Sequence, residues 1–313
     1  MNSLNIQTWL YPTITTTLLI TFLITKKYIA TKNNRTSSKK QNASDTIKKN
    51  YLKELQMARR VQEGLLSVEN PQLDSIHIAK RCVPAENIGG DFYTFINKDA
   101  HSLQPQTQKI PGVIKYVDTR ETYFGVIIGD VAGHGVSSAL VMALSSGLLG
   151  EISKSNNSPA FTFKEANNDI IKYIENSQIS HVTAFYALIN TYSKKMTYAK
   201  AGHSPALLMH KDNTCTELDA DGIFLGIFPD ETYQESEVQL ESGDRLFLYT
   251  DGIIEAKNEH SEEFGLDRFI QIIRENSKLD IDTLLNLLFT KAKKFIGNQD
   301  FKDDQTLVIL EIG

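Results

Sequence analysis

Short β-rich runs that come in clusters, separated by helical stretches that come in pairs, constrain this chain more than any other feature. The runs cover residues 76–82, 123–128, 183–189, 196–199, 206–210, 245–249 and 307–311, and helical patterning marks 137–152, 163–175, 266–274 and 281–295. A parallel sheet needs a helix between nearly every pair of strands, and that alternation is missing. The order instead predicts an α+β domain of antiparallel sheets with helices packed outside. The polar run 98–121 reads as a long loop between two strands.

The acids of this region carry the chemistry. Asp91 follows Gly89-Gly90, and Asp130 closes the apolar run 124–128 and opens Asp130-Val131-Ala132-Gly133-His134-Gly135. Asp251 follows Leu246-Phe247-Leu248-Tyr249 and opens Asp251-Gly252, while Asp303 and Asp304 come just before the terminal run. Stacked apolar strands would deliver these carboxylates to one edge of the core. No Lys or Arg stands among them, so they would repel one another unless hard divalent cations such as Mg²⁺ or Mn²⁺ neutralised them. Two such ions could acidify a water and clamp a phosphoryl group. One Asp-Gly alone is an ordinary turn. Four acidic sites, each beside a predicted strand end, favour a metal centre.

Other sites are weaker. Gly129–Gly135 lacks the Gly-Lys-Ser/Thr of a phosphate loop, and Gly89-Gly90-Asp91-Phe92 lacks the Glu of a cyclase signature. His181 and His203 read as structural. Cys82 and Cys215 match no zinc spacing and read as free thiols. The net charge of −5 argues against nucleic acid, which needs a concentrated basic face.

The N-terminal part has a different character. Residues 9–25 carry no charge, and with Tyr28, Ile29 and Ala30 the stretch reaches about 20 residues, enough to cross a bilayer. No basic residue precedes it and no small-residue cleavage site follows, so an uncleaved transmembrane anchor over 1–30 is expected rather than a signal peptide. Lys26, Lys27, Lys32, Arg35, Lys39, Lys40, Lys48 and Lys49 crowd the next stretch against the single acid Asp45, which predicts a cytoplasmic C-terminal part at the inner membrane. Residues 31–66 form a basic linker and an amphipathic helix, with Ile47, Tyr51, Leu55, Ala58, Val61 and Leu65 at helical steps. That stripe would form a homodimer seam or pack on the following domain, which spans 67–313.

The motifs, taken in order, resemble the SpoIIE/RsbU-type bacterial branch of the PPM (PP2C-like) phosphatases. Ala58-Arg59-Arg60-Val61-Gln62-Glu63-Gly64-Leu65-Leu66 looks like the family's opening helix, and Gly89-Gly90-Asp91-Phe92-Tyr93 like its GGD element. Gly129–Gly135 resembles GDVxGHG and Thr183-Ala184-Phe185-Tyr186 resembles T-x-FY. They are followed by Ala201-Gly202-His203-Ser204-Pro205, Leu225-Gly226, Tyr249–Ala256 and Asp303-Asp304-Gln305-Thr306. The resemblance covers nearly all of residues 58–313.

It implies an αββα sandwich with two Mn²⁺ or Mg²⁺ ions in a cleft at the sheet edges. Asp91, Asp130, Asp251 and Asp303 would be the catalytic ligands, with Asp130 bridging and Val131 giving its carbonyl. Asp304 completes the set behind Asp303. The implied activity is hydrolysis of phosphoserine or phosphothreonine on a regulatory protein, a STAS-type anti-anti-sigma factor in a partner-switching pathway. A catalytically inactive, membrane-tethered binding module is the alternative. Ala132 and Asn87 stand where eukaryotic-type relatives carry a His and a phosphate-binding Arg.

Overall fold

Alternation along the strands decides the architecture. Val126 and Ile128 bury one way and Ile127 and Val131 the other; Leu246 and Leu248 oppose Phe247 and Tyr249 in the same manner. Side chains in a strand alternate between faces, so strands apolar at every position must be covered on both sides. The computed structural model describes residues 25–28, 31–32, 44–67, 71, 73, 75–98, 107–110, 113–116, 122–175 and 179–313. They divide into two compact units, Met1–Met57 and Ala58–Gly313.

The second unit holds two five-stranded antiparallel sheets. One has the order β1 (Ile76–Val83), β12 (Gln305–Ile312), β11 (Arg245–Tyr249), β8 (Ala206–Met209), β9 (Cys215–Leu218). The other has the order β10 (Glu235–Gln239), β7 (Lys195–Ala201), β6 (Val182–Asn190), β5 (Tyr123–Val131), β2 (Phe92–Lys98). A central core of Phe124, Val126, Ile128, Phe185, Leu246, Leu248, Val308 and Leu310 lies between the sheets. Helices α2 (Val136–Lys154) and α3 (Pro159–Ile174) cover the second sheet through Met142, Leu149, Phe163 and Ile170. Helices α5 (Leu266–Glu275) and α6 (Ile281–Ile296) cover the first through Phe269, Leu284 and Leu288. The expected αββα sandwich is therefore the observed one.

Local chemistry fixes the helix ends. Ser158 caps α3 by accepting from the Phe161 amide at 3.0 Å, with Pro159 in the first turn. Asp280 caps α6 by accepting from the Thr283 amide at 2.9 Å. Among the described residues α2 is long and apolar enough to cross a membrane, but it packs against β2, β5 and α3.

Three expectations change. The run 98–121 is not all loop, because β3 (Thr107–Ile110) and β4 (Val113–Tyr116) pair antiparallel as a two-stranded sheet. Strands β9 and β10 also join the sheets without having been expected; β10 is a short charged edge strand, so no apolar run betrays it. The stripe of helix α1 (44–66) does not face the domain in its last turns. Gln62 and Leu66 turn inward, while Val61 and Leu65 stay exposed. The anchor expected over 1–30 lies outside the described residues apart from 25–28.

Candidate metal centre

The strands bring the acids to one place. Asp130 stands at the end of β5, opposite Thr183 of β6, and Gly129 pairs with Phe92, the residue after Asp91. From the other sheet, β11 runs straight into α4 (Asp251–Ile254), with Asp251 as its first residue, and Asp303 and Asp304 lead into β12. Burial and mutual repulsion then act on all of them. Asp91 is 2% exposed, and its carboxyl pKa is driven well up by burial first and then by the charges of Asp130 and Asp304. Asp130 is pushed up to about 7, by burial first and then by Asp251, Asp303 and Asp304. Burial also raises Asp251, helped by Glu255, and Asp303, helped by Asp251 and Asp304 and opposed by the Asp304 amide and His134. These cross-sheet couplings bring Asp91, Asp130, Asp251 and Asp303 into one electrostatic cluster.

Each acid is held differently. Asp91 Oδ2 accepts hydrogen bonds from the hydroxyls of Thr250 at 2.7 Å and Thr306 at 2.8 Å, both fully buried. Asp304 faces backbone instead: its carboxylate accepts from the amides of Ala85 at 2.8 Å, Gly90 at 2.6 Å and Asp91 at 3.4 Å. Glycine makes this closeness feasible. A Cβ on Gly90 would stand 2.7 Å from the Val131 carbonyl oxygen, and one on Gly252 would stand 1.9 Å from that of Asp304. Gln62 of α1 clasps the same loop, donating to the Gly89 carbonyl at 2.7 Å and accepting from its amide at 3.1 Å. His134 pairs with Glu86 at 3.1 Å on the exposed rim.

Sequence reasoning passed over Thr250, Thr306, Gln62 and the Thr183–His203 pair. Their signal was adjacency: Thr250 precedes Asp251 and Thr306 follows Asp304 by two. His203 and His181 hold structural places, as expected. His203 is buried and shares a 2.8 Å hydrogen bond with the Thr183 hydroxyl.

The donor set suits a hard divalent cation. It is all oxygen, with four carboxylates and a carbonyl left open by Gly90, and its acids resist ionisation unless a positive charge joins them. Among the described residues no three carboxylate, imidazole or thiol groups already form a closed cage, and Asp91 and Asp304 are meanwhile occupied by hydroxyls and amides.

Two antiparallel sheets between helix pairs, with acids from both sheets at one edge, define the PP2C-like class of phosphatase. Residues 120–313 match the family model described as Stage II sporulation protein E (SpoIIE). The chain is 30% identical over 274 residues to the phosphoserine phosphatase RsbU of Bacillus subtilis, covering 84% of this chain and 71% of that one. It is 29% identical over 215 residues to the phosphoserine phosphatase RsbP of the same organism, covering 67% of this chain but 47% of RsbP. The solved SiaA-PP2C domain of Pseudomonas aeruginosa superposes with a TM-score of 0.66 at 19% identity, covering 85% of this chain and 98% of that one. The chain belongs to the SpoIIE family of PP2C-like proteins and is a protein serine/threonine phosphatase.

Proposed function

We propose that this phosphatase removes phosphate from a serine or threonine of a small regulatory protein, a STAS-type anti-anti-sigma factor, and so drives a partner-switching pathway. The observation that carries the catalytic part is the convergence of Asp91, Asp130, Asp251 and Asp303 from two sheets, where burial and neighbouring carboxylates raise their pKa values. The similarity to RsbU and RsbP supports a phosphoserine substrate.

In this reading Asp91, Asp130, Asp251, Asp303 and the Val131 carbonyl hold two Mn²⁺ or Mg²⁺ ions. Asp304 fixes the loop that carries Asp91. Thr250 and Thr306 orient Asp91, so that its remaining oxygen is presented in one direction. When bound, the ions supply charge neutralisation for the phosphoryl oxygens and a more acidic water. The protein's own part is to collect the carboxylates, keep Asp91 desolvated and stop them relaxing apart.

The N-terminal segment 1–30 anchors the chain in the cell membrane with the phosphatase domain in the cytoplasm. Helix 45–66 serves as a homodimer seam and relays control from anchor to domain; the exposure of Val61 and Leu65 supports a partner for that face. The test is hydrolysis of p-nitrophenyl phosphate by the full chain in detergent, with and without Mn²⁺, beside Asp130→Asn. Mn²⁺-dependent turnover that the variant lacks is expected. Turnover indifferent to the ion or to the substitution would sink the metal assignment.

A further inference from the structure

A rigid loop beside the centre sets four large apolar side chains partly in solvent: Ile223 (37% exposed), Phe224 (36%), Ile227 (39%) and Phe228 (58%). The backbone beneath them is tightly fixed. Leu225 exchanges two backbone hydrogen bonds with Val182, at 3.0 and 2.9 Å. The fully buried Asn167 of α3 donates to the Phe228 carbonyl at 2.8 Å and accepts from the Gly226 amide at 2.8 Å. Gly226 takes φ +90° against Ile174. Phe224 lies against the His181 ring, tilted 44° with the centroids 4.2 Å apart. A segment so constrained cannot fold its apolar side chains inward, so their exposure is built in.

The loop's position says what covers it. Val182, its partner, pairs in register with Val131. Two strand spacings of about 4.8 Å place the Leu225 backbone roughly 10 Å from Val131. The His181 carbonyl accepts from the Ala132 amide at 3.1 Å, so the element that touches Phe224 also props the Asp130 loop. Directly after that loop in the chain, Val136 (44% exposed) and Leu140 (69%) present a second apolar pair, four residues apart on the first turns of α2. Any protein that delivers a phosphorylated residue to Asp130 must lay the surface around that residue on this ground.

Charge does not attract such a substrate here. Asp221, Asp230 and Glu231 flank the loop, and the chain carries a net charge of −5. Affinity for an anionic phosphoprotein must then come from apolar contact.

We infer that Ile223, Ile227 and Phe228, with Leu140 on the first turns of α2, form the docking surface for the folded body of the phosphorylated protein substrate, which presents an apolar face beside its phosphoresidue. This rests on the proposed phosphatase reading of the neighbouring carboxylates and names the surface that selects its substrate.

The test compares the full chain with Phe228→Ser, Ile227→Ser and Leu140→Ser on three probes: p-nitrophenyl phosphate, a ten-residue phosphoserine peptide and a serine-phosphorylated STAS-domain protein. Expected is a loss of at least about tenfold in kcat/KM on the phosphoprotein, mostly in KM, as for a truncated interface anchor. The small ester and the peptide should be hydrolysed as by wild type. Phe228→Leu should recover most of the loss. Wild-type rates on the phosphoprotein in all three Ser variants would overturn the docking surface while leaving the substrate reading intact. A wild-type chain that hydrolyses the ester and peptide but not the phosphoprotein would defeat the substrate reading, and the docking surface with it. Equal losses on all three probes would overturn the proposal by showing that these side chains maintain the fold or the metal centre.

Discussion

The two sheet edges that meet at the candidate centre are built differently. On the β2–β5 side, Asp91 is buried, hydrogen-bonded by two hydroxyls and charge-coupled to Asp130. On the β11–β12 side, Asp251 is half-buried at the start of a one-turn helix, and Asp303 is exposed. The first edge is arranged by the protein in advance. The second edge remains open to water, where an ion and a substrate can reach it. Desolvated carboxylates give tight coordination and open ones give exchange, so a turnover site profits from having both.

The largest effect should separate the two edges directly. Asp130→Asn removes the acid that is coupled to all the others and should lower Mn²⁺-dependent turnover by about a hundredfold or more, whatever the ion concentration. Asp303→Asn removes an exposed charge, and its loss should be substantially recovered by raising Mn²⁺, because weakened binding responds to mass action. An Mn²⁺ titration of both variants decides the matter. Identical, unrecoverable losses would erase the distinction between the edges.

A smaller effect should appear one layer out. Thr250→Val and Thr306→Val keep the shape and remove the hydroxyls that hold Asp91. Partners behind metal ligands typically contribute about 10–100-fold in affinity or activity, so the double variant should need correspondingly more Mn²⁺ for half-maximal rate while its saturated rate changes less. An unchanged Mn²⁺ requirement would mean that the buried edge does not depend on its hydroxyls.

What could be read beforehand follows the same division. Strands with both faces buried, such as β5 and β11, announce themselves as unbroken apolar runs, and the acids at their ends inherit that visibility. Thr250 and Thr306 lie in the same motifs, but their role depends on Asp91, which is 159 residues from one and 215 from the other. No local pattern encodes such a meeting. Asp303 and Asp304 show the limit most clearly. They are chemically identical neighbours, yet the bend before β12 turns Asp304 inward onto three amides and leaves Asp303 outside. Strands β9 and β10 escaped because edge strands with charged faces look like loops. The β3–β4 sheet escaped because its run is short and polar on average.

The smallest expected effect tests the support behind Asp130. His203 lies under the buried edge, bonded to Thr183, whose hydroxyl faces the Asp130 carbonyl at 3.4 Å. Burial holds the His203 pKa down to about 4; the Tyr249 carbonyl pulls the other way, and Lys200 adds to the lowering. The imidazole is therefore neutral in the fold, whereas in the unfolded chain it takes up a proton near pH 6.5. Between those two values the unfolded state binds more protons, so stability rises with pH across the window and is lost as the pH falls through it. From pH 7 to pH 5 that linkage is worth roughly 2 kcal/mol. His203→Gln removes the titration, and the carboxylates, whose raised pKa values act in the opposite direction, are common to both proteins. Urea midpoints at the two pH values should therefore show wild type losing more stability on acidification than the variant by about that amount. Parallel losses would mean that His203 is not buried neutral beneath the edge, and the buried side of the centre would then rest on its hydroxyls alone.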